Sequence, residues 1–153
     1  MSLVRLVTPG DDQEIAKIIK TMIGDLNPHE VVREVALDLL GNRQYFGLVF
    51  DDEEIKGFGA LKLEPFDGAN GVAEIAWLGV QNQNRRKGVG SAIVRRIEQH
   101  AKEHGIRKLY VKTNSNNKPA ICFWIMQNYK FEACLLDFGS KGIDYYFLGK
   151  EML

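Results

Sequence analysis

The chain has 153 residues, enough for one domain with a full core and too few for two. Twenty Lys and Arg cancel twenty Asp and Glu, so no net field points to nucleic acid or a membrane surface; the 45% hydrophobic and 10% aromatic fractions suit a packed globular protein. No apolar run reaches the ~18 residues of a membrane helix, no signal-peptide pattern opens the chain, and Cys122 and Cys134 are too few for a disulfide framework, so a cytoplasmic protein is expected.

Residues 2–7 read as a short strand, and Thr8-Pro9-Gly10-Asp11 as a turn that opens a helix. Ile15, Ile18, Ile19, Met22, Ile23 and Leu26 recur at helical spacing and predict an amphipathic helix. Asn27-Pro28 restarts a second helix, with the stripe Val31, Val32, Val35, Ala36, Leu39 and Leu40 and the stop Gly41. Residues 44–50 and 55–63 read as a hairpin around Asp51-Asp52-Glu53-Glu54, a solvated acidic tip. After a loop at 65–71, residues 72–80 are apolar on both faces and form a central strand. Val89, Ile93, Ile97 and Ala101 mark a helix face that ends near Gly105. A strand at 107–112 follows, then a helix at 119–127 with Asn128 as its left-handed stop, and closing strands at 131–138 and 143–148. The order β-α-α-β-β-β-α-β-α-β-β gives one α+β domain over 1–153, with a mixed, mostly antiparallel central sheet flanked by helices.

The turn between the apolar strand and the next helix reads Arg85-Arg86-Lys87-Gly88-Val89-Gly90. A helix start offers unpaired amides and a positive dipole end, so a Gly-rich basic turn there can hold phosphate oxygens. The bland alternative is a solvated connection, but glycine at a helix start is unfavourable without a reason. A dinucleotide fingerprint would need G-x-G-x-x-G and a P-loop G-K-[ST]; neither is present.

Strand, R/Q-x-x-G-x-G/A, helix, strand and then N-x-x-A opening a further helix resembles the GNAT acetyltransferase superfamily. The first motif is Arg85 to Gly90, the second Asn117-Lys118-Pro119-Ala120, and the element order fits along essentially the whole chain. The resemblance implies the acyl-CoA N-acyltransferase fold and acetyl-CoA as co-substrate. Its diphosphate would lie on the amides of Arg86, Lys87, Gly88, Val89, Gly90 and Ser91, with Arg85 alongside. Its acyl arm would run beside Leu78, Gly79 and Val80, where the Val80 N–H would meet the thioester carbonyl, a donor aimed at developing charge. Asn117 would approach the cofactor and also serves as a helix N-cap.

Glu74 interrupts the otherwise uncharged run from Val72 to Val80. A carboxylate in an apolar strand is costly unless paired, and burial alone favours taking up a proton. The pattern Ala73-Glu74-Ile75-Ala76 resembles the histone-acetyltransferase branch, in which the glutamate is the general base; the structural alternative is a strand-end Glu paired with Lys or Arg. One departure concerns the leaving group. The family usually places a tyrosine, which protonates the departing thiolate, where this chain has Trp124, and an indole N–H is no proton source near neutral pH. Either the thiolate leaves unaided, or Tyr110 or Tyr129 supplies the proton, or the chain is a non-catalytic CoA-binding module.

By the resemblance the acceptor groove is bounded by 22–31, 64–71 and 137–144, where Asp25, Glu30, Glu64, Asp67 and Asp137 would attract a cationic amine. Polyamine, aminoglycoside, amino acid and protein amine all remain open, and a homodimer through the sheet edge or C-terminal strands is compatible. His100 and His104 stand at i, i+4 without a third ligand, so no metal is assigned. Cys122 reads as a small core residue, and Arg95 and Arg96 as a solvated helix face.

Overall fold

Residues 3–23 and 44–153 are described by the computed structural model. The expected second helix, with Asn27, Pro28 and Gly41, lies outside the described residues. In chain order the elements are β1 Val4–Leu6, α1 Asp12–Ile23, β2 Tyr45–Asp52, β3 Glu54–Leu63, β4 Val72–Val80, α2 Val89–Glu103, β5 Lys108–Asn114, α3 Lys118–Met126, β6 Lys130–Ser140 and β7 Ile143–Glu151. They make one seven-stranded sheet, ordered β1-β2-β3-β4-β5-β7-β6. Every neighbouring pair is antiparallel except β4 and β5, and α2 supplies the crossover that parallel neighbours need.

Two apolar clusters cover the two faces. Ile93, Val94, Ile97 and Ala101 of α2 pack on Leu61, Ala73, Leu109 and Leu148, whereas Ile15, Ile18 and Ile19 of α1 pack on Val49, Phe58 and Ala60. These buried faces carry the period-3.6 stripes read from the sequence, except that Met22 of the α1 stripe is 39% exposed and Leu26 lies outside the described residues. α2 seats closely on β3 because Gly59 has no side chain: a Cβ there would stand 2.6 Å from Ile93 Cγ2 and 3.4 Å from Ile97 Cδ1. Both isoleucines are fully buried, so Gly59→Ala is expected to cost about 1–3 kcal/mol, read as a lower urea midpoint at unchanged slope. An unchanged midpoint would mean that α2 shifts freely.

The chain enters α1 through an ion cluster. Arg5 donates to both oxygens of Asp11 at 2.8 and 2.9 Å and to Asp51 Oδ2 at 3.0 Å, while the Thr8 N–H donates to Asp11 Oδ2 at 2.8 Å. Asp51 and Asp52 are therefore not an idle solvated tip, since Asp52 also pairs with Lys56 at 3.1 Å. The Arg5 hydrogen bonds hold the Asp11 carboxyl below the usual carboxylate range. The folded protein thus takes up this proton at lower pH than the unfolded chain does. The resulting stability is complete above the unfolded value of ~3.9 and is lost as pH falls through the depressed folded value. Asp11→Asn is expected to flatten the fall in urea midpoint below about pH 4 relative to the parent protein; identical acid limbs would remove Asp11 as the cause.

A bulge in β4 sets the faces around the later site. Ala60 pairs with Trp77 and Leu61 with Ile75, which leaves Ala76 unopposed and reverses the alternation. Ala73 and Ile75 before the bulge, and Leu78 and Val80 after it, pack with the α2 cluster, while Trp77 packs with the α1 cluster. Glu74 accordingly shares the α1 face with Trp77 and Gly79.

Candidate active site

β4 and β5 pair only from Val72–Lys108 to Glu74–Tyr110. Beyond that row the strands part, and each continues with a different neighbour, β3 or β7. On the β3 side, the Gln81 N–H bonds the Lys56 carbonyl at 2.9 Å. Hydrogen-bond direction alternates along a strand, so Gly79 and Trp77 also face β3, and the N–H and C=O groups of Leu78 and Val80 turn toward the gap. Gly79 has a different duty: a Cβ on it would lie 2.6–2.9 Å from Met22, Phe58 and Ile18, so its bareness admits the C-terminal end of α1.

Past Val80 a single 3-10 turn, Asn82–Asn84, leads into the basic segment. Buried Asn84 fixes it, donating to Gln81 Oε1 at 2.7 Å. Arg86 and Gly88 have φ of 61° and 83°, and Gly88 is the N-cap of α2. The first amide of α2 to find a helical acceptor is Ala92, on Gly88 O at 3.0 Å. Among the described residues, the amides of 86–91 bond no backbone carbonyl, and exposed Arg85, Arg86 and Lys87 make no ion pair. Amides without acceptors at a positive dipole end, flanked by three cations, make an anion cradle.

The cradle lies on the α2 face and Glu74 on the opposite one, with the β4–β5 gap between them. Glu74 is paired rather than isolated. Its side chain is 12% exposed, the Tyr110 hydroxyl donates to Oε2 at 2.8 Å, and Lys112 Nζ stands 3.5 Å from Oε1. Burial, and then the Glu74 hydrogen bond, push the Tyr110 phenol above its ordinary value, so it remains a donor at neutral pH. Lys62 of β3 is opposite Glu74 in register and holds its ammonium 5.7 Å over the Tyr45 ring. The sequence reading named Tyr110 only as a proton source and did not single out Lys112. The alternation Tyr110-Val111-Lys112 is visible, but its alignment with Glu74 depends on the parallel register.

On α3, Asn117 Oδ1 caps the helix, accepting from the Ala120 N–H at 3.3 Å, and Asn128 ends it at φ 68°. Trp124 is 6% exposed and stands edge-on to Phe123 and Tyr129, with ring centroids 5.0 Å away in each case. Tyr129 is buried, donates to Glu98 at 3.1 Å, and has its phenol pushed up by burial and by that carboxylate. Ser91 Oγ already accepts from Gln127 Nε2 at 2.9 Å, which ties α3 to the first turn of α2.

Several other residues differ from their sequence readings. Cys122 is exposed rather than in the core. Arg96 lies 5.6 Å over Phe46, with one guanidinium nitrogen buried and unpartnered, and is no simple solvated face. His100 stacks on Phe46 at 3.6 Å and on His104 at 4.0 Å. Glu64 and Asp67 wall an open depression of about 540 Å³ shared with Ala73 and Ile106, not with Glu74. Asp137 Oδ1 accepts from the Gly142 N–H at 2.7 Å, and Asp144 Oδ1 from the Asp137 N–H at 2.9 Å. Asp25 and Glu30 lie outside the described residues.

A sheet that opens beside a partly buried carboxylate, with unpaired amides and three cations at the end of one arm, has the shape and charge to admit an extended anionic ligand. The sequence profile of the Acetyltransferase (GNAT) family matches residues 13–127, and the chain belongs to that family. An N-acetyltransferase from Staphylococcus aureus Mu50 superposes with a TM-score of 0.83 at 20% identity, covering 98% of both chains. A ribosomal-protein-alanine N-acetyltransferase from Brucella melitensis gives 0.81 at 17% identity, covering 97% of this chain and 98% of that one. An aminoglycoside 6'-N-acetyltransferase solved with coenzyme A gives 0.80 at 15% identity, covering 98% and 97%. These likenesses establish the acyl-CoA N-acyltransferase fold. No curated protein matches the chain in sequence.

Proposed function

We propose that the protein, read as a single domain over 1–153, is an acetyl-CoA-dependent N-acetyltransferase acting on a primary amine. The observation that carries this reading is the parting of β4 and β5 immediately after the Glu74–Tyr110 row. It leaves a slot between the unpaired amides of 86–91 and the carboxylate on the other face. Bound there, acetyl-CoA supplies the activated acyl group. Arg85, Arg86, Lys87, Gly88, Val89, Gly90 and Ser91 hold the diphosphate, and the free edge at Leu78 and Val80 aligns the arm beside Gly79. The Val80 N–H stabilises charge developing on the carbonyl oxygen, a contribution of several kcal/mol in a dry site (roughly 2.7–4). Glu74 takes one proton from the acceptor ammonium, directly or through water, and the freed amine attacks. The carbon–sulfur bond breaks as the amide forms, giving an acetamide, the CoA thiol and one net proton. A thiol of pKa ~8.5 leaves tolerably without an acid.

Asn117 is assigned to the cofactor side through the start of α3, and Trp124 to the wall behind it. The exposed edge strand β6, with Phe131 and Leu136, supports a homodimer through the sheet edge. Unpaired Cys122 and Cys134 support a cytoplasmic location. Among the described residues, no helix is long and apolar enough to cross a membrane.

The buried Trp124 favours a second reading, a CoA-binding module without turnover, because the usual phenol is absent and Tyr129 is locked on Glu98. Calorimetric titration with CoA and thiol release with a panel of amines separate the readings. Binding with release supports the transferase, and binding without release the module. No binding at millimolar CoA overturns both.

A further inference from the structure

We infer that the acceptor is an amino-acid-like molecule, with its amine next to a carboxylate and an apolar or aromatic side chain, and that Lys112 takes the carboxylate. The inference rests on the reading of Glu74 as the base and names the substrate class of that site. Glu74 occupies the α1 face of the sheet. In register, Tyr110 of β5 lies beside Glu74, Lys112 two positions further on faces the same way, and Lys62 of β3 flanks Glu74 from the other side. Among the described residues, this row thus sets one carboxylate between two lysines.

Three further carboxylates of the described residues are committed elsewhere. Glu132 pairs with Lys108 at 2.7 Å, and Asp137 and Asp144 are spent on turn amides. A polyamine or aminoglycoside would bring several cations against Lys62 and Lys112, and among the described residues Glu74 is the one carboxylate of that row to meet them. A single ammonium with an adjacent carboxylate matches instead, its ammonium on Glu74 and its carboxylate on Lys112, a charge-assisted contact. Lys112 suits this role because its hold on Glu74 is loose, at 3.5 Å, and its side chain is 40% exposed.

Next to Lys112 the same face is apolar. Phe147 is its partner on β7 and stacks on Tyr110 with centroids 6.1 Å apart. Tyr145 follows opposite Asn114, and Phe138, 63% exposed, stands edge-on to Tyr145 at 5.3 Å. This ledge gives the acceptor side chain an aromatic surface to lie on.

The test compares phenylalanine, phenylalaninamide, phenethylamine, spermidine and kanamycin in thiol release at saturating acetyl-CoA. Calorimetric titration of the same compounds into CoA-saturated protein runs in parallel. Phenylalanine is expected to exceed phenylalaninamide and phenethylamine by about tenfold or more in kcat/KM and in affinity, about 1.4 kcal/mol, with the polycations poorest. Lys112→Met is expected to erase that preference, and Lys112→Arg to retain most of it. A preference for polycations, equal handling of phenylalanine and its amide, or a preference that survives in Lys112→Met overturns the inference. Thiol release without discrimination would leave acetyl transfer standing and remove only the acceptor class. Discrimination in binding with no release would keep the recognition and remove the catalytic reading.

Discussion

Replacing Glu74 with glutamine is expected to lower kcat for a good acceptor by about 10²- to 10⁴-fold, the usual contribution of a positioned general base. The glutamine keeps the side chain's size and can still accept from Tyr110, so the fold should be untouched and CoA affinity within about twofold of the parent. What is lost is the group that receives a proton from the ammonium. The deficit should therefore shrink as pH rises toward the acceptor's own pKa, ~8 for an α-amine, because more of it then arrives already deprotonated. Thiol release followed against pH in both proteins checks this. A variant with full activity, or a deficit equally large at every pH, would take Glu74 out of proton transfer.

The geometry behind this prediction was only half legible in the sequence. Local patterns state local structure, so the α1 and α2 stripes, the continuous apolar strand at Val72–Val80, the Asn117 cap and the Asn128 stop all appear where spacing and turn chemistry put them. The basic turn was legible for the same reason, because a helix start and its free amides follow from consecutive residues. The surroundings of Glu74 were not. Tyr110 is 36 residues away and Lys112 is 38 away, and they reach Glu74 only because β4 and β5 run parallel in one register for three rows. The bulge at Ala76 was equally silent, since no residue type marks it. It nonetheless decides that Glu74, Trp77 and Gly79 share a face. Tertiary register also explains the acidic residues. Composition alone made Asp137 a candidate to attract an amine, but a short side chain beside a tight turn bonds its own backbone first.

The two faces of the sheet divide the work. An anion cradle on the α2 side and a carboxylate on the α1 side cannot meet through a continuous sheet, because a paired strand leaves no room for a third chain between its neighbours. The gap past Glu74–Tyr110 removes that obstacle and leaves the Leu78 and Val80 backbone groups without strand partners. A ligand bearing its own amides would complete that edge as an added strand would.

Truncating Trp124 to alanine is expected to cost about 3–5 kcal/mol of stability, the range for a large aromatic removed from a packed core. The indole is 6% exposed and wedged edge-on between Phe123 and Tyr129, and Tyr129 is itself pinned by Glu98, which also holds Lys150 at 2.9 Å. Neighbours so fixed collapse poorly into the space, so the cavity term persists. For a domain of this size the loss corresponds to about 6–20 °C in melting temperature. Trp124→Tyr separates packing from chemistry. It should lose less stability, chiefly through a smaller ring and a hydroxyl that must find a partner in an apolar cluster, and it should leave kcat within about threefold or raise it. Calorimetric melting of both variants, with kcat measured well below their transitions, checks the pair. A folded Trp124→Tyr protein whose turnover collapsed would show that the indole itself takes part in the transfer, and an alanine variant as stable as the parent would mean that α3 is held by other contacts.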